Sequence, residues 1–348
     1  MVKFARSAVV FSLIALLPVA SALAANNTHK NSSKKHAVHG KTHAAAHKKI
    51  IIHTASGKLV KRTVMVHGKR KVITERVALV REVPDKPSMG DTVGLKNTQD
   101  PLELKSNVAY VVDQDSSKVL FEKNSDVSLP IASITKLMTS LVVVEAHQDM
   151  DEQIEVTNDD IDKEKNTSSR LKIGAKLSRS DMLHIALMSS ENRAASALGR
   201  NYPGGLPAFV TAMNTKAKQL GMTDTHYVDS SGLSSQNRAS ARDLVKLVNA
   251  AYQHPVIRQY STDSKYVVAP GGKNLEYGTS NKLVINPAWE IGLQKTGYIA
   301  EAGRCLVMQA IIEGRNIVMV FLDSKGKYSR LADADRMKKW LETIKPHV

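Results

Sequence analysis

The chain has 348 residues, of which 49 are Lys or Arg and 33 Asp or Glu, for a net charge of +16. A single cysteine, Cys305, excludes an intramolecular disulfide. No segment after the first 24 residues is long and apolar enough to read as a membrane span.

The N-terminus reads as an export signal. Lys3 and Arg6 form its charged end, residues 8–20 are apolar but short for a bilayer, and Ala22-Leu23-Ala24 supplies small residues for cleavage after Ala24. A periplasmic location is therefore expected. Residues 25–49 are rich in His, Lys, Asn, Ser, Thr and Ala and cannot bury enough apolar surface to fold alone. Seven of the 12 histidines lie between His29 and His67, without metal-site spacing. Residues 50–82 carry two apolar stretches around His67-Gly68-Lys69, a pattern that suggests a hairpin. Pro84, Pro87 and Gly90 mark a linker. Residues 26–82 hold 14 Lys and Arg against only Glu75 and Glu82, whereas the rest of the mature chain is nearly neutral. Such asymmetry points to an anionic partner, a wall or membrane surface. Nucleic acid is not expected, because the chain is exported and its basic stretch lacks interleaved aromatics. The map is thus 1–24 signal peptide, 25–95 basic tail and linker, and 96–348 one domain of roughly 250 residues with a substantial core.

Within that domain, residues 107–113 and 118–122 read as strands of a hairpin. Residues 134–146 repeat apolar positions at helical spacing, as do 180–200 and 242–252. Residues 305–312 and 316–322 are apolar runs flanking Glu313-Gly314-Arg315, a second hairpin. Residues 330–344 form a closing amphipathic helix. Strands, then helices, then strands and a helix suggest an α+β fold, an antiparallel sheet covered by helices with a helical insertion. Cys305 falls in a strand-like apolar run and is expected to be buried and inert.

Three triplets carry chemistry through their order. Ser133-Ile134-Thr135-Lys136 opens a helix, Ser190-Glu191-Asn192 follows 57 residues later, and Lys295-Thr296-Gly297 a further 105 residues on. The Ser-x-x-Lys pattern recurs at Ser32/Lys35 and Ser324/Lys327, and Ser-x-Asn at Ser235/Asn237, so neither is informative alone. Ser133 and Lys136, at i and i+3, share a helix face. A serine hydroxyl needs a base, and a lysine amine serves only if burial or a second cation lowers its pKa. Lys295 is the candidate second cation. Ser190 could relay a proton to a leaving amine, and Asn192 offers donor and acceptor to a peptide. Lys295 and Thr296 suit a carboxylate, and Gly297 lets a substrate backbone approach.

With these triplets stand 129–139 (Leu-Pro-Ile-Ala-Ser-Ile-Thr-Lys-Leu-Met-Thr), Met213-Asn214, Leu220-Gly221-Met222, Asp229-Ser230-Ser231-Gly232-Leu233, and Asn237 with Ser240 and Asp243. Over residues 97–345 the chain resembles the serine D-alanyl-D-alanine peptidases, the low-molecular-mass penicillin-binding proteins, whose triplet set is shared with β-lactamases. Lys295 to Ile299 and Ala302 to Met308 look most like the endopeptidase branch. The resemblance implies a DD-peptidase/β-lactamase-like fold, with the active site between the sheet domain and a mostly helical subdomain. It implies Ser133 as nucleophile, Lys136 as base, and Ser190 as proton relay. Asn192, Lys295, Thr296, Gly297 and Tyr298 would bind substrate, and the backbone N–H groups of Ser133 and Tyr298 would form an oxyanion hole. Peptidoglycan peptides and β-lactams are the implied partners, with no metal or organic cofactor. A carboxypeptidase is the alternative. Against it, the 51 residues after Gly297 suffice for two strands and a helix, without the further β-domain and anchor of typical anchored carboxypeptidases. A class A-like β-lactamase would need a deacylating glutamate, for which Glu164 is the candidate in a departing sequence context. An inactive wall-binding module would usually lack one of Ser133, Lys136 and Lys295.

Overall fold

The computed structural model describes residues 57–66, 69–78 and 87–344. The expected signal peptide and most of the expected basic tail lie outside these. The chain divides into two compact units, Met1–Val80 and Arg81–Val348. In the first, β1 (Gly57–Val66) pairs antiparallel with β2 (Lys69–Ala78), the expected hairpin.

In the second unit the chain enters through α1 (Met89–Thr92), capped by Ser88. It then runs through the hairpin β3 (Ser106–Asp113) and β4 (Val119–Lys123). The two-residue strand β5 (Leu129–Pro130) leads into α2 (Thr135–Glu145). Next come the short strands β6 (Gln153–Glu155) and β7 (Lys176–Ser178), then α3 (Arg179–Met188), α4 (Asn192–Arg200) and α5 (Gly205–Gln219). β8 (Arg238–Ala239) pairs with β5 and precedes α6 (Ala241–Tyr252) and α7 (Pro255–Thr262). The small hairpin β9 (Lys265–Val268) and β10 (Leu275–Gly278) follows. The last elements are β11 (Glu290–Ile299), β12 (Gly303–Ile312), β13 (Arg315–Ser324) and α8 (Ser329–Thr343).

Five strands form one antiparallel sheet in the order β11-β12-β13-β3-β4, so the two sequence-distant hairpins join through β13 and β3. Both faces of β12 and β13 are buried. Val318, Val320 and Leu322 point into the larger core with α2, α3 and α6, while Ile317, Met319 and Phe321 meet Met337 and Leu341 of α8. Burial on both faces explains why these strands read as continuous apolar runs rather than alternating ones. Cys305 is fully buried and burial pushes its thiol up to about 12, consistent with an inert residue. Helices α2 to α7 lie between the two strand groups in the sequence, which gives the expected α+β organisation.

The stretch 180–200, read as one helix, is two. α3 ends at Met188, Ser190 adopts φ 65°, and Glu191 starts α4 by accepting from the Arg193 N–H. Lys295-Thr296-Gly297 lies inside the edge strand β11.

Candidate active site

The Ser133 segment is held from several sides. Pairing of β5 with β8 and the Ile131 N–H to Asn237 carbonyl bond (3.1 Å) anchor the residues before it. Ala132 adopts φ 47°, a left-handed conformation uncommon outside glycine, and Thr135 Oγ1 donates to the Ala132 carbonyl at 2.8 Å. From Leu129 to Val143 every residue is buried except Ser133. Its hydroxyl caps neither the 3₁₀ turn it occupies nor α2. A polar side chain left half-open at a strained turn, and not used in capping, is available for chemistry.

Lys136 is fully buried in the first turn of α2. Its Nζ lies 2.9 Å from Ser133 Oγ, 2.7 Å from Asn192 Oδ1 and 2.6 Å from the Ser231 carbonyl oxygen. Burial lowers its pKa to about 7, against the opposing pull of Asp229 and Glu191. A large fraction is therefore neutral at neutral pH and able to take a proton from the hydroxyl beside it. Asn192 reaches this point because the break after α3 starts α4 beside α2. Its Nδ2 donates to Thr167 Oγ1 at 3.1 Å, which sets the direction of the amide. Ser190 stands half-buried in the break.

Gly297 brings β11 against the same turn. A side-chain carbon added there would lie 2.9 Å from the Ile131 carbonyl oxygen and 3.0 Å from Ser133 N, so only glycine fits without displacement. Lys295 is fully buried and donates to the Thr296 carbonyl at 2.8 Å. Burial, then the Lys136 charge, hold its pKa well below the usual lysine range. Thr296 Oγ1 bonds Ser280 Oγ at 2.7 Å, and the Ser280 N–H donates to the Met188 carbonyl at 3.0 Å. This chain ties the edge strand to the end of α3, two residues before Ser190. Tyr298 is exposed at 55% and lies under the Arg304 guanidinium, 4.4 Å from its ring centre. Asn192, Ser231 and the exposed Glu164 line a cavity of about 220 Å³.

The three triplets therefore converge, Ser133, Lys136 and Asn192 through direct contacts and Lys295, Thr296 and Gly297 through the adjoining strand. Sequence reasoning assigned no role to Ser231, Asn237, Ser280 or Thr167. Ser231 and Asn237 lie in stretches that carried the resemblance, whereas Ser280 and Thr167 left no pattern. The Ser-x-x-Lys match at Ser324 is used structurally, with Ser324 Oγ bonded to Ser329 Oγ at 2.7 Å.

The model of the D-alanyl-D-alanine carboxypeptidase family matches residues 95–326. The chain belongs to that family of serine peptidases. A D-alanyl-D-alanine endopeptidase of Pseudomonas aeruginosa is 47% identical over 243 residues, covering 69% of this chain and 78% of that one. The Escherichia coli D-alanyl-D-alanine endopeptidase is 41% identical over 279 residues, covering 80% and 90%. Among solved structures, a D-alanyl-D-alanine carboxypeptidase from Mycobacterium tuberculosis superposes with a TM-score of 0.63 at 26% identity, covering 70% of this chain and 92% of that one. The Streptomyces K15 DD-transpeptidase, at 24% identity and a TM-score of 0.65 over 70% and 98%, shares the fold. This D-alanyl-D-alanine peptidase thus has the expected α+β DD-peptidase fold. Among its described residues, no group of three or more His, Cys, Asp or Glu is arranged to hold a metal. No helix among them is long and apolar enough to cross a membrane.

Proposed function

We propose that the protein is a penicillin-sensitive D-alanyl-D-alanine endopeptidase that cleaves peptidoglycan cross-bridges through an acyl-enzyme on Ser133. The observation that carries the site is the pair of Ser133, the only residue from Leu129 to Val143 that is not buried, and the fully buried Lys136 amine 2.9 Å away. Lys136 takes the Ser133 proton as the oxygen attacks the carbonyl carbon. The bond to the leaving D-amino acid nitrogen then breaks as that nitrogen gains a proton, relayed through Ser190. Water releases the acyl group. The contacts of Gly297 with the Ser133 turn support the N–H groups of Ser133 and Tyr298 as the oxyanion hole. Lys295 and Thr296 receive the substrate carboxylate, and Asn192 divides its amide between Lys136 and Thr167.

The endopeptidase reading draws on the relatives of that name at 47% and 41% identity. A carboxypeptidase would use the same acylation and differ in its leaving group. A class A-like β-lactamase finds less support, because Glu164 is exposed and makes no hydrogen bond to Ser133. Export to the periplasm and attachment of the basic tail to an anionic surface complete the proposal. Digestion of purified cross-linked muropeptides tests it. Dimers should be converted to monomers, and Ser133→Ala should abolish this. Loss of terminal D-alanine with dimers intact would instead make the enzyme a carboxypeptidase.

A further inference from the structure

A neutral amine has two N–H bonds and one lone pair. The Lys136 nitrogen has three close oxygen neighbours, the Ser231 carbonyl at 2.6 Å, Asn192 Oδ1 at 2.7 Å and Ser133 Oγ at 2.9 Å. The first two can only accept hydrogen bonds, and only the serine can donate. When the amine is neutral, the two carbonyl oxygens take both N–H bonds and the lone pair is left facing Ser133.

The Ser231 carbonyl is held by its own turn. Asp229 Oδ1 accepts from the Ser231 N–H at 2.6 Å, the Ser231 hydroxyl at 2.9 Å and the Gly232 N–H at 2.6 Å, while Oδ2 accepts from the Ser234 N–H at 3.0 Å. The turn is also pressed on the nucleophile. Gly232 has φ 82°, and a side-chain carbon there would lie 2.0 Å from the Ala132 carbonyl oxygen. Ser230 joins it to the helices on both sides, accepting from Thr139 Oγ1 at 2.7 Å on α2 and donating to the Ala195 carbonyl at 2.9 Å on α4.

We propose that the turn from Asp229 to Gly232 is a positioning element of this reaction: the Ser231 carbonyl, together with Asn192, orients the Lys136 lone pair toward Ser133, and Asp229 is the side chain that holds that carbonyl in place. The inference rests on the reading of Ser133 as nucleophile and Lys136 as base. In the step it serves, the Ser133 O–H bond breaks, its proton joins the Lys136 lone pair, and the oxygen pair forms the bond to the substrate carbonyl carbon. The resulting ammonium keeps its two carbonyl acceptors, so the lysine need not move during the transfer. The charged groups acting on Lys136 are Asp229 from the turn and Glu191 from the start of α4; on β11 the buried Lys295 feels the Lys136 charge, which adds to burial in lowering its own pKa.

The test is the second-order rate of acylation by a fluorescent penicillin, measured from pH 5 to pH 10 on the full mature protein. Asp229→Asn should lower the limiting rate by about tenfold, a fraction of the roughly 10²–10⁴ that a positioned base contributes. It should also move the acid limb to lower pH, because a negative charge that favours ammonium is gone. Asn192→Asp, which keeps the acceptor and adds a charge, should move the limb to higher pH. A folded Asp229→Asn protein with a wild-type rate, or with a uniform loss and an unmoved limb, overturns the proposal. If that variant does not fold, nitrogen NMR of lysine-labelled wild-type protein decides. A neutral Lys136 amine near pH 8 is expected, and an ammonium persisting through pH 9 overturns the proposal. Penicillin labelling that survives Ser133→Ala would be a different result, removing the nucleophile reading itself.

Discussion

Burial governs the two lysines of the site, and their pKa values make the protein's stability depend on pH. Lys136 has an ordinary value of about 10.4 when unfolded and about 7 when folded. Between those values the unfolded chain binds more protons, so stability rises with pH. The contribution is complete above the unfolded value and is lost as pH falls through the folded one. Lys295, also depressed, acts in the same direction. The melting temperature of wild type should therefore climb from pH 7 to pH 9.5, and Lys136→Met should flatten part of that climb. An identical slope in the variant would mean that Lys136 is charged in the folded protein. The two lysines should also differ in kinetics. Lys136→Ala should mainly lower kcat, whereas Lys295→Ala should also raise KM for a carboxylate-bearing peptide. Ser133, Lys136, Asn192 and Lys295 were legible as residue types in a fixed order. The Ser231 carbonyl was not, because a backbone acceptor leaves no mark on residue identity.

Two elements position these residues, the edge strand β11 and the break between α3 and α4. Gly297→Val would press a side chain into the Ile131 carbonyl and the Ser133 nitrogen, both backbone atoms. It should slow acylation by about 10²-fold, the scale of a roughly 1 Å misplacement, while circular dichroism stays native. A wild-type rate would show that the strand can retreat without consequence. Glu191 caps α4 and lies within 3.4 Å of the Tyr277 hydroxyl, which donates to it. Glu191→Ala should cost about 1 kcal/mol in urea unfolding. The break was hidden in the sequence because residues on both sides repeat at helical spacing and no Pro or Gly marks it. Helix α5 was missed for a different reason. It opens at Gly205 with Pro207 close behind, and buries only Phe209, Met213 and Ala217, one residue per turn. β11 was only partly legible because Gly292, Lys295 and Gly297 weaken its strand character. Pairing with β12 from Glu290 to Ile299 settles its conformation.

For the whole molecule, the charge separates from the chemistry. All the site residues lie in the unit Arg81–Val348, and the strongly basic stretch lies before Glu82. The catalytic unit already includes Ser88 and Met89. Ser88 Oγ donates to Asp323 at 2.7 Å and the Met89 N–H to the Glu301 carbonyl at 2.9 Å. Deleting residues 25–86 should leave turnover of small peptides near wild type and reduce binding to isolated sacculi. In the protein that keeps residues 25–86 that binding should weaken with salt, as exposed charges are screened beyond about 8 Å at physiological ionic strength. Equal binding by the truncated protein would make the tail a spacer. Deletion through residue 97 should also lower the melting temperature, because it removes the Ser88 and Met89 contacts. The most direct measurement on the protein is peptide mapping by mass spectrometry after reaction with a β-lactam. The account predicts one adduct per molecule, on Ser133 within residues 124–136. An adduct on any other residue, or none from a folded protein, would contradict it.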